Sequence, residues 1–461
     1  MVNNNIKVLI FVIMSFLLLV LISIFSGYLQ QFWPEVENIN IISDILYSKY
    51  DNGTTNLFVE KNITGVVTDT TSMMSRDSLR QDFTQYMNSG QFVDFKPFSL
   101  GPVLPRTAQK LAALKRGEKV KLRIAWLGDS LIEGDLITQT TRELLQKEFS
   151  GLYGVGFVPF RSVTSGFRIS ATAISSGSWS EENFKNAKRK TPLFFSGHVF
   201  YSNNGELSLK DNTIKDSLQL TEKWLYCGKT ESPLNIDVNG KHVCIHANAP
   251  FNRILLEKSK SRNIRIKIPT CNLPLYGVSS EPEYGVVIDN YSFRGISGFE
   301  LGMLDESVLD EISRTGVYDL IVIQYGVNMM FRPTDKNYDY YSKGMNPVIK
   351  RLKERIGASD FLLVSCSDRA FRYGNEWKTA IGLESLLKVQ AKIACNNSIP
   401  FFNLFETMGG SGTIVKWAEG DPRLAAKDYI HASPRGAIVL GRDFFDAFMK
   451  DFKKLSTNKV K

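Results

Sequence analysis

Histidine is scarce in this chain of 461 residues: there are four, and three of them, His198, His242 and His246, lie within one segment. Cysteine is also rare, with five residues and no Cys-x-x-Cys pair, so structural zinc and thioredoxin-like redox chemistry have little support. No Gly-x-Ser-x-Gly segment occurs, which argues against the α/β-hydrolase form of serine chemistry. The sequence therefore offers few candidates for a catalytic base.

The chain has the composition of an ordinary folded protein. Hydrophobic residues make up 43% and charged residues 22%, which excludes a disordered, collagenous or coiled-coil chain. At about 150 residues per domain, 461 residues suggest two or three units. Cys227, Cys244 and Cys271 lie in a single segment, where one disulfide and small buried side chains are both open interpretations.

One long apolar run stands at the start of the chain. Residues 8–25 carry no charge and, with their flanks, reach the ~20 residues needed to cross a bilayer. Aromatic residues follow the run, as in an interfacial belt, and no small-residue cleavage site is evident. Lys7 precedes it and the next lysine is Lys49, so we expect the N-terminus in the cytoplasm. The prediction is a single-pass membrane protein working in the periplasm or at the cell surface; a cleaved signal peptide is the alternative.

The net charge of +9 is spread over the chain. Basic residues are most frequent at 185–190 and 258–267, which we interpret first as solvated surface and second as a contact for acidic glycan or anionic lipid. Because the chain is expected to be exported, no nucleic-acid partner is predicted.

Strands and helices alternate in two parts of the chain. Apolar runs at 121–127, 318–324 and 361–365 predict buried strands, and a helix is expected over 135–149. The last helix should begin at Ser433–Pro434, where a capping residue precedes proline. Further helices are expected at 107–114, 346–356 and 383–394. This alternation predicts a parallel α/β sandwich.

Four segments follow from these patterns. Residues 1–29 form the cytoplasmic tip and membrane anchor, and the polar residues 30–105 form an extracytoplasmic stalk. The α/β domain comprises 106–164 and 286–461. Between its parts, residues 165–285 have short alternating strands and an Asn-Gly turn at 239–240, which predicts an all-β insert with a hairpin at that turn.

The first chemical motif is Gly-Asp-Ser-Leu, with Ser130 between a strand and a helix. A residue there lies at the carboxyl end of a parallel sheet, where ligands bind in such folds. His431 is the histidine outside the insert, and Asp428 precedes it by three residues. A carboxylate at this spacing can hold Nδ1–H of the histidine and leave Nε2 free to take the serine proton.

Hydrogen-bond donors follow two other strands. Asn328 comes just after the strand at 318–324. Gly298 ends an Arg-Gly-Ile-Ser-Gly turn, where glycine permits close approach of the backbone to a ligand. The N–H groups of Ser130 and Gly298 and the amide of Asn328 are therefore candidates for an oxyanion hole.

These four blocks, in this order, resemble the SGNH (GDSL-type) hydrolase superfamily. The resemblance covers about 105–165 and 285–455 and implies a three-layer α/β/α fold that hydrolyses or transfers an acyl ester without cofactor or metal. It implies that Ser130 and His431 do the chemistry, that Asp428 orients His431, and that Ser130, Gly298 and Asn328 form the oxyanion hole. Phe299 and Glu300 depart from the family's small or polar residue after the glycine, which leaves Gly295 and Ser297 as alternative donors.

A narrower resemblance concerns the segment at 151–157 and the β insert, which are similar to the peptidoglycan O-acetylesterase branch with its carbohydrate-binding-module-like insert. The expected function is removal of O-acetyl groups from a cell-wall or other polysaccharide through an acetyl-serine intermediate. Two alternatives stay open. One is a polysaccharide O-acetyltransferase supplied by a membrane-bound acyltransferase, and the other is a non-catalytic glycan-binding protein.

Overall fold

The computed structural model describes Met14, residues 83–95 and residues 101–457. The chain divides into two compact units, Met1–Ser75 and Arg76–Lys461, and all described residues except Met14 belong to the second. Apart from Met14, the predicted anchor thus lies outside the described residues, as does most of the predicted stalk. Within the described part, no helix combines the length and apolar character needed to cross a bilayer.

The described secondary structure is numbered in chain order. The strands are β1 (Phe92–Val93), β2 (Lys121–Gly128), β3 (Gly156–Pro159), β4 (Ala171–Asn183), β5 (His198–Asp211), β6 (Thr221–Cys227), β7 (Leu234–Val238), β8 (Lys241–Ile245), β9 (Asn252–Ser259), β10 (Asn263–Ile268), β11 (Leu275–Pro282), β12 (Gly285–Ser292), β13 (Leu320–Gln324), β14 (Asp360–Val364), β15 (Ala370–Tyr373), β16 (Glu376–Thr379) and β17 (Phe401–Phe402). The α-helices are α1 (Pro105–Lys115), α2 (Thr138–Phe149), α3 (Glu306–Thr315), α4 (Asp339–Arg355), α5 (Leu383–Asn396), α6 (Leu404–Met408), α7 (Thr413–Glu419) and α8 (Pro434–Thr457).

The α/β part is built on a six-stranded sheet in the order β1-β17-β14-β13-β2-β12. Strand β2 pairs in parallel with β12 and β13, and β14 pairs in parallel with β13 and β17. Every residue of β13 is buried, as expected for a strand covered on both faces. The predicted parallel sheet is present, and β1 adds an antiparallel edge that makes it mixed.

Helices cover both faces of this sheet. On β13, Leu320 and Val322 pack in one apolar cluster with residues of α1, α2 and α8. The alternate residues, Ile321 and Ile323, pack in a second cluster with residues of α3, α4 and α5. Because successive side chains of a strand point to opposite faces, the sheet is the middle of three layers. This arrangement brings the carboxyl ends of β2, β12 and β13 to one edge.

The helix expected over 135–149 is interrupted at its start. A 3-10 turn spans Glu133–Asp135, and α2 begins only at Thr138. Asp135 and Ile137 both have positive φ, which an α-helix does not allow. The buried carboxylate of Asp135 accepts hydrogen bonds from Arg142 at 2.5 Å and 2.7 Å, and these bonds compensate the irregular backbone.

Residues 83–95 differ from the predicted stalk because they pack into the α/β part. Strand β1 pairs with β17, and Phe92 is buried with its ring 5.5 Å from that of Phe402. Phe92 also contacts Phe444 of α8 at a ring distance of 5.3 Å. Because the surrounding sequence is polar, its composition did not indicate that the few apolar residues of this segment pack against the sheet.

The β-rich part is a nine-stranded sheet with the core order β8-β7-β10-β5-β11-β6-β9. Strands β7 and β8 form the hairpin predicted at Asn239–Gly240, and both turn residues have positive φ, so that prediction is confirmed. Strand β3, which precedes the predicted insert, pairs with β11. The nine-stranded sheet therefore includes residues on the N-terminal side of 165.

A buried ionic cluster joins the two sheets. Glu281 of β11 is fully buried and forms ion pairs with Arg123 of β2 and with Arg253 of β9 at 2.8 Å. Arg123 also pairs with Asp289 of β12 at 2.9 Å. Burial alone would raise the pKa of Glu281, but the surrounding cations hold it well below its usual range. These charges fix the insert to the sheet that carries Ser130.

Cys227, Cys244 and Cys271 form no disulfide with one another, so the one left open by the sequence is not formed. Burial raises the pKa of the Cys366 thiol to about 12, and it also raises the pKa of Cys227. These two thiols are therefore small buried hydrophobic groups rather than nucleophiles.

Candidate active site

Ser130 lies in the turn directly after β2. This turn is at the edge of the sheet where β12 and β13 also have their carboxyl ends. Gly128 ends the strand in close packing: a Cβ there would meet the side chain of Ile132 at 2.8 Å and the carbonyl oxygen of Gln324 at 3.1 Å. A larger residue would push the turn away from β13. The glycine of the motif therefore sets the position of the serine.

The structure brings Ser130 together with His431 and Asp428. Oγ of Ser130 is 2.8 Å from Nε2 of His431, and Nδ1 of His431 is 2.7 Å from Oδ2 of Asp428. In this geometry Asp428 fixes the imidazole with Nε2 directed at the hydroxyl. The arrangement can deprotonate Ser130 and stabilise the imidazolium that results.

The loop that carries His431 is held by its own hydrogen bonds. The N–H of Ala426 donates to the carbonyl oxygen of His431 at 2.8 Å, and Tyr429 takes a positive φ of 58° within the turn. The ring of Tyr429 stacks on Trp377 of β16 with 4.0 Å between ring centroids. This packing fixes the turn that presents His431 to Ser130.

Asp428 is ionised over the ordinary pH range. Burial raises its pKa, but hydrogen bonds from the His431 side chain and from the N–H groups of Ile430 and His431 outweigh burial and lower it to about 2. A permanent negative charge therefore faces the far side of the imidazole.

Asn328 lies near Ser130, but its amide already has partners. Nδ2 donates to Oδ2 of Asp129 at 3.1 Å and to the carbonyl oxygen of Ile296 at 2.9 Å. Both amide hydrogens are thus used within the protein. Asn328 connects the segment before Gly298 to the serine turn.

The backbone N–H of Gly298 also has a hydrogen-bond partner already. Its N–H donates to Oε2 of Glu300 at 3.1 Å, and the N–H of Ser297 donates to the same oxygen at 3.2 Å. A Cβ on Gly298 would meet the ring of Tyr325 at 3.1 Å, and φ is 98°, so this position requires glycine. Of the three predicted donors, the N–H of Ser130 is the one that has no partner among the described residues. Glu300 was noted in the sequence, but its bond to the donor follows only from the fold.

Sequence reasoning did not single out Asp129. Its side chain is fully buried, and Oδ1 accepts from the N–H of Leu131 at 3.0 Å. Burial raises the pKa of Asp129 to about 7, although its hydrogen bonds and the nearby charge of His431 act in the opposite direction. The motif contains this residue, but nothing in the sequence indicates that the carboxyl group faces the interior.

Within the described part of the chain, none of the other three histidines is hydrogen-bonded to Ser130. Nδ1 of His198 pairs with Glu181 at 2.7 Å, and its ring packs against Phe293 at 4.7 Å. His242 and His246 are exposed on and just after β8. No group of three or more His, Cys, Asp or Glu side chains suited to a metal ion occurs among the residues that the structure describes.

The order of the strands and the helices on both faces of the sheet define an SGNH-hydrolase-type fold, in which helices flank a mixed sheet. One solved structure with a similar fold is described as "Peptidoglycan O-acetylesterase in action, 5 min". The similarity covers 78% of this chain and 99% of that chain, with a TM-score of 0.65 and 19% sequence identity. At this identity the comparison establishes the fold.

Two further solved structures match more weakly. An acetylxylan esterase from Geobacillus stearothermophilus is 16% identical over 37% of this chain and 74% of its own, with a TM-score of 0.27. A family two carbohydrate esterase from Cellvibrio japonicus is 9% identical over 62% of this chain and 99% of its own, with a TM-score of 0.25. At TM-scores this low, neither match supports an assignment. No protein-family model and no curated protein sequence matches the chain.

Proposed function

We propose that this protein is a serine esterase that removes O-acetyl groups from a polysaccharide. The observation that carries the proposal is the continuous hydrogen-bonded series of Ser130, His431 and Asp428, at 2.8 Å and 2.7 Å. The fold similarity to a structure described as a peptidoglycan O-acetylesterase supports the choice of an acetyl ester on carbohydrate.

The reaction has two halves. Oγ of Ser130 attacks the acetyl carbonyl while His431 takes its proton. The bond between the acetyl carbon and the sugar oxygen then breaks, and His431 gives the proton to that oxygen, which leaves as a sugar hydroxyl. Water activated by His431 next attacks the acetyl-serine and releases acetate. The N–H of Ser130 holds the oxyanion in both steps, joined by Gly298 and Asn328 once they exchange their present partners.

The proposed setting is extracytoplasmic, with the chain anchored by its first 29 residues. The apolar run at 8–25 and the lysine asymmetry around it support this location. An anchored esterase would act on polysaccharide close to the membrane.

The direct test measures acetate released from O-acetylated peptidoglycan and from O-acetylated xylan by the full-length protein. We expect release from at least one of the two and loss of release in Ser130→Ala, with the variant folded as judged by circular dichroism. Acetate release by a folded Ser130→Ala protein at the rate of the wild type would contradict the proposal.

A further inference from the structure

A cleft of about 550 Å³ opens between the α/β part and the β-rich part. It is lined by the 3-10 turn at Glu133–Asp135, the end of β12, residues 157–165, β4 and His198 of β5. Its volume lies within the ~300–1,000 Å³ typical of ligand sites. Ser130 and His431 do not line it, so the cleft is a separate space from the reacting groups.

The cleft nevertheless lies beside the serine turn. Glu133 follows Ser130 by three residues, and Ser292 at the end of β12 is the register partner of Gly128. The N–H of Phe293, another lining residue, donates to the carbonyl oxygen of Gly128 at 2.9 Å. A ligand in the cleft would therefore lie next to the serine turn.

The acidic groups of the cleft are neutralised by partners. Asp135 pairs with Arg142 at 2.5 Å and with Arg168 at 3.3 Å. Glu133 pairs with Arg294 at 2.6 Å. The third acidic group, Glu181, bonds to His198. Two of the three carboxylates are therefore compensated by arginines, and the lining as a whole carries four cationic side chains, Arg161, Arg168, Lys185 and Arg294, against three carboxylates.

Two cationic side chains of the cleft differ from its carboxylates in their partners. Arg161 and Lys185 line the cleft, both are exposed, and neither forms a salt bridge with any described residue, although the charge of Arg161 acts on nearby Glu181. Lys185 also begins the basic group at 185–190, in which Arg189 and Lys190 are exposed and the exposed Lys188 pairs with Glu182 at 3.8 Å. The net effect is a positive cleft that continues into a positive rim. Such a field attracts an anionic ligand and raises its local concentration.

We propose that this cleft binds an anionic saccharide, with Arg161 and Lys185 contacting its negatively charged groups. The inference rests on the proposed function for the reaction, and it deepens that function by naming the substrate as a polysaccharide with carboxylate or phosphate groups. Guanidinium and ammonium groups bind both kinds of anion, so the test includes one ligand of each kind.

The experiment measures binding rather than turnover, by titration calorimetry with the full-length Ser130→Ala protein. The ligands are an oligogalacturonate, a phosphorylated oligomannoside and a neutral xylo-oligosaccharide of matched length. We expect an anionic ligand to bind at least about fivefold more tightly than the neutral one at low salt, and the preference to fall as salt rises. The better of the two anionic ligands identifies the kind of charge.

Matched variants assign the effect to the cleft. Arg161→Gln and Lys185→Gln should each weaken anionic binding roughly threefold to fivefold, and the double variant about tenfold. Lys267→Gln removes an exposed cation from β10, which contributes no residue to the cleft, and should leave binding unchanged. Equal affinity for neutral and anionic ligands, no binding of any ligand, or an equal loss in Lys267→Gln would overturn the inference. Hydrolysis of p-nitrophenyl acetate by the wild type is measured separately and tests the esterase activity alone. The proposed activity and the proposed binding of an anionic saccharide can therefore fail independently of each other.

Discussion

Ser130 and His431 are 301 residues apart in the chain, yet Oγ of the serine lies 2.8 Å from Nε2 of the histidine. The serine reaches this point at the end of β2, and the histidine arrives on the turn before α8. Packing of α8 against the sheet, in the cluster that also holds residues of β2, fixes the two ends relative to each other. The contact is thus a product of the whole α/β part rather than of either motif.

Replacing Asn328 by alanine should lower turnover of an acetyl ester sharply. Loss of one oxyanion donor typically costs ~100–1,000-fold in kcat. The variant also removes a hydrogen bond to Asp129, so circular dichroism should accompany the kinetics to show that the fold is retained. Turnover unchanged from the wild type would exclude Asn328 from the mechanism.

Replacing Glu300 by alanine should raise kcat/KM for p-nitrophenyl acetate severalfold. In the wild type the Glu300 carboxylate accepts the N–H of Gly298, so this N–H must exchange its partner before it donates to an oxyanion. Removing the carboxylate frees the donor and removes a negative charge that opposes oxyanion formation. A lower kcat/KM in Glu300→Ala would instead mean that Glu300 is needed to hold the Gly298 turn.

Asp129 should make the protein less stable as the pH rises. Its folded pKa of about 7 lies above the ~3.9 of an unfolded aspartate, so the folded state holds the proton more tightly. The tighter proton binding stabilises the folded state in full below about pH 4. This contribution to the free energy of unfolding, roughly 4 kcal/mol in total, is lost as the pH rises through 7. The free energy of unfolding of Asp129→Asn, measured by urea at pH 4 to 8, should lack this decline. The same pH dependence in variant and wild type would contradict the assignment.

Replacing Glu281 by glutamine should destabilise the junction between the sheets. The variant leaves buried Arg123 and half-buried Arg253 without their shared carboxylate, and breaking a buried pair in this way typically costs ~3–5 kcal/mol of unfolding free energy. Chemical denaturation measures the change. Glu283→Gln is the control because Glu283 pairs with exposed Lys258, and there we expect little effect. Equal stability of the two variants would show that the buried cluster does not hold the sheets together.

Much of the fold and the reacting groups follow from the sequence. Apolar runs predicted strands β2, β13 and β14, because strands buried on both faces have few alternative interpretations. The order of the motifs placed Ser130, Asp428 and His431 at strand ends or turns, and the scarcity of histidine left His431 as the base. The structure brings these three residues into hydrogen-bond contact.

The remaining features depend on contacts between distant residues. Asp135 interrupts the expected helix because its carboxylate is enclosed by Arg142 and Ser170, and periodicity does not contain that information. The hydrogen bond from the N–H of Gly298 to the carboxylate of Glu300 depends on the side-chain conformation of Glu300. The position of β1 depends on apolar contacts of Phe92 with residues more than three hundred positions away.

The most direct test of the account is covalent labelling of Ser130. The full-length protein is treated with a fluorophosphonate probe and analysed by intact mass and peptide mapping. The account predicts one equivalent of label on Ser130, none in Ser130→Ala, and much slower labelling in His431→Ala, because the hydroxyl then lacks its base. No labelling of folded wild-type protein, or labelling at another serine that persists in Ser130→Ala, would contradict it.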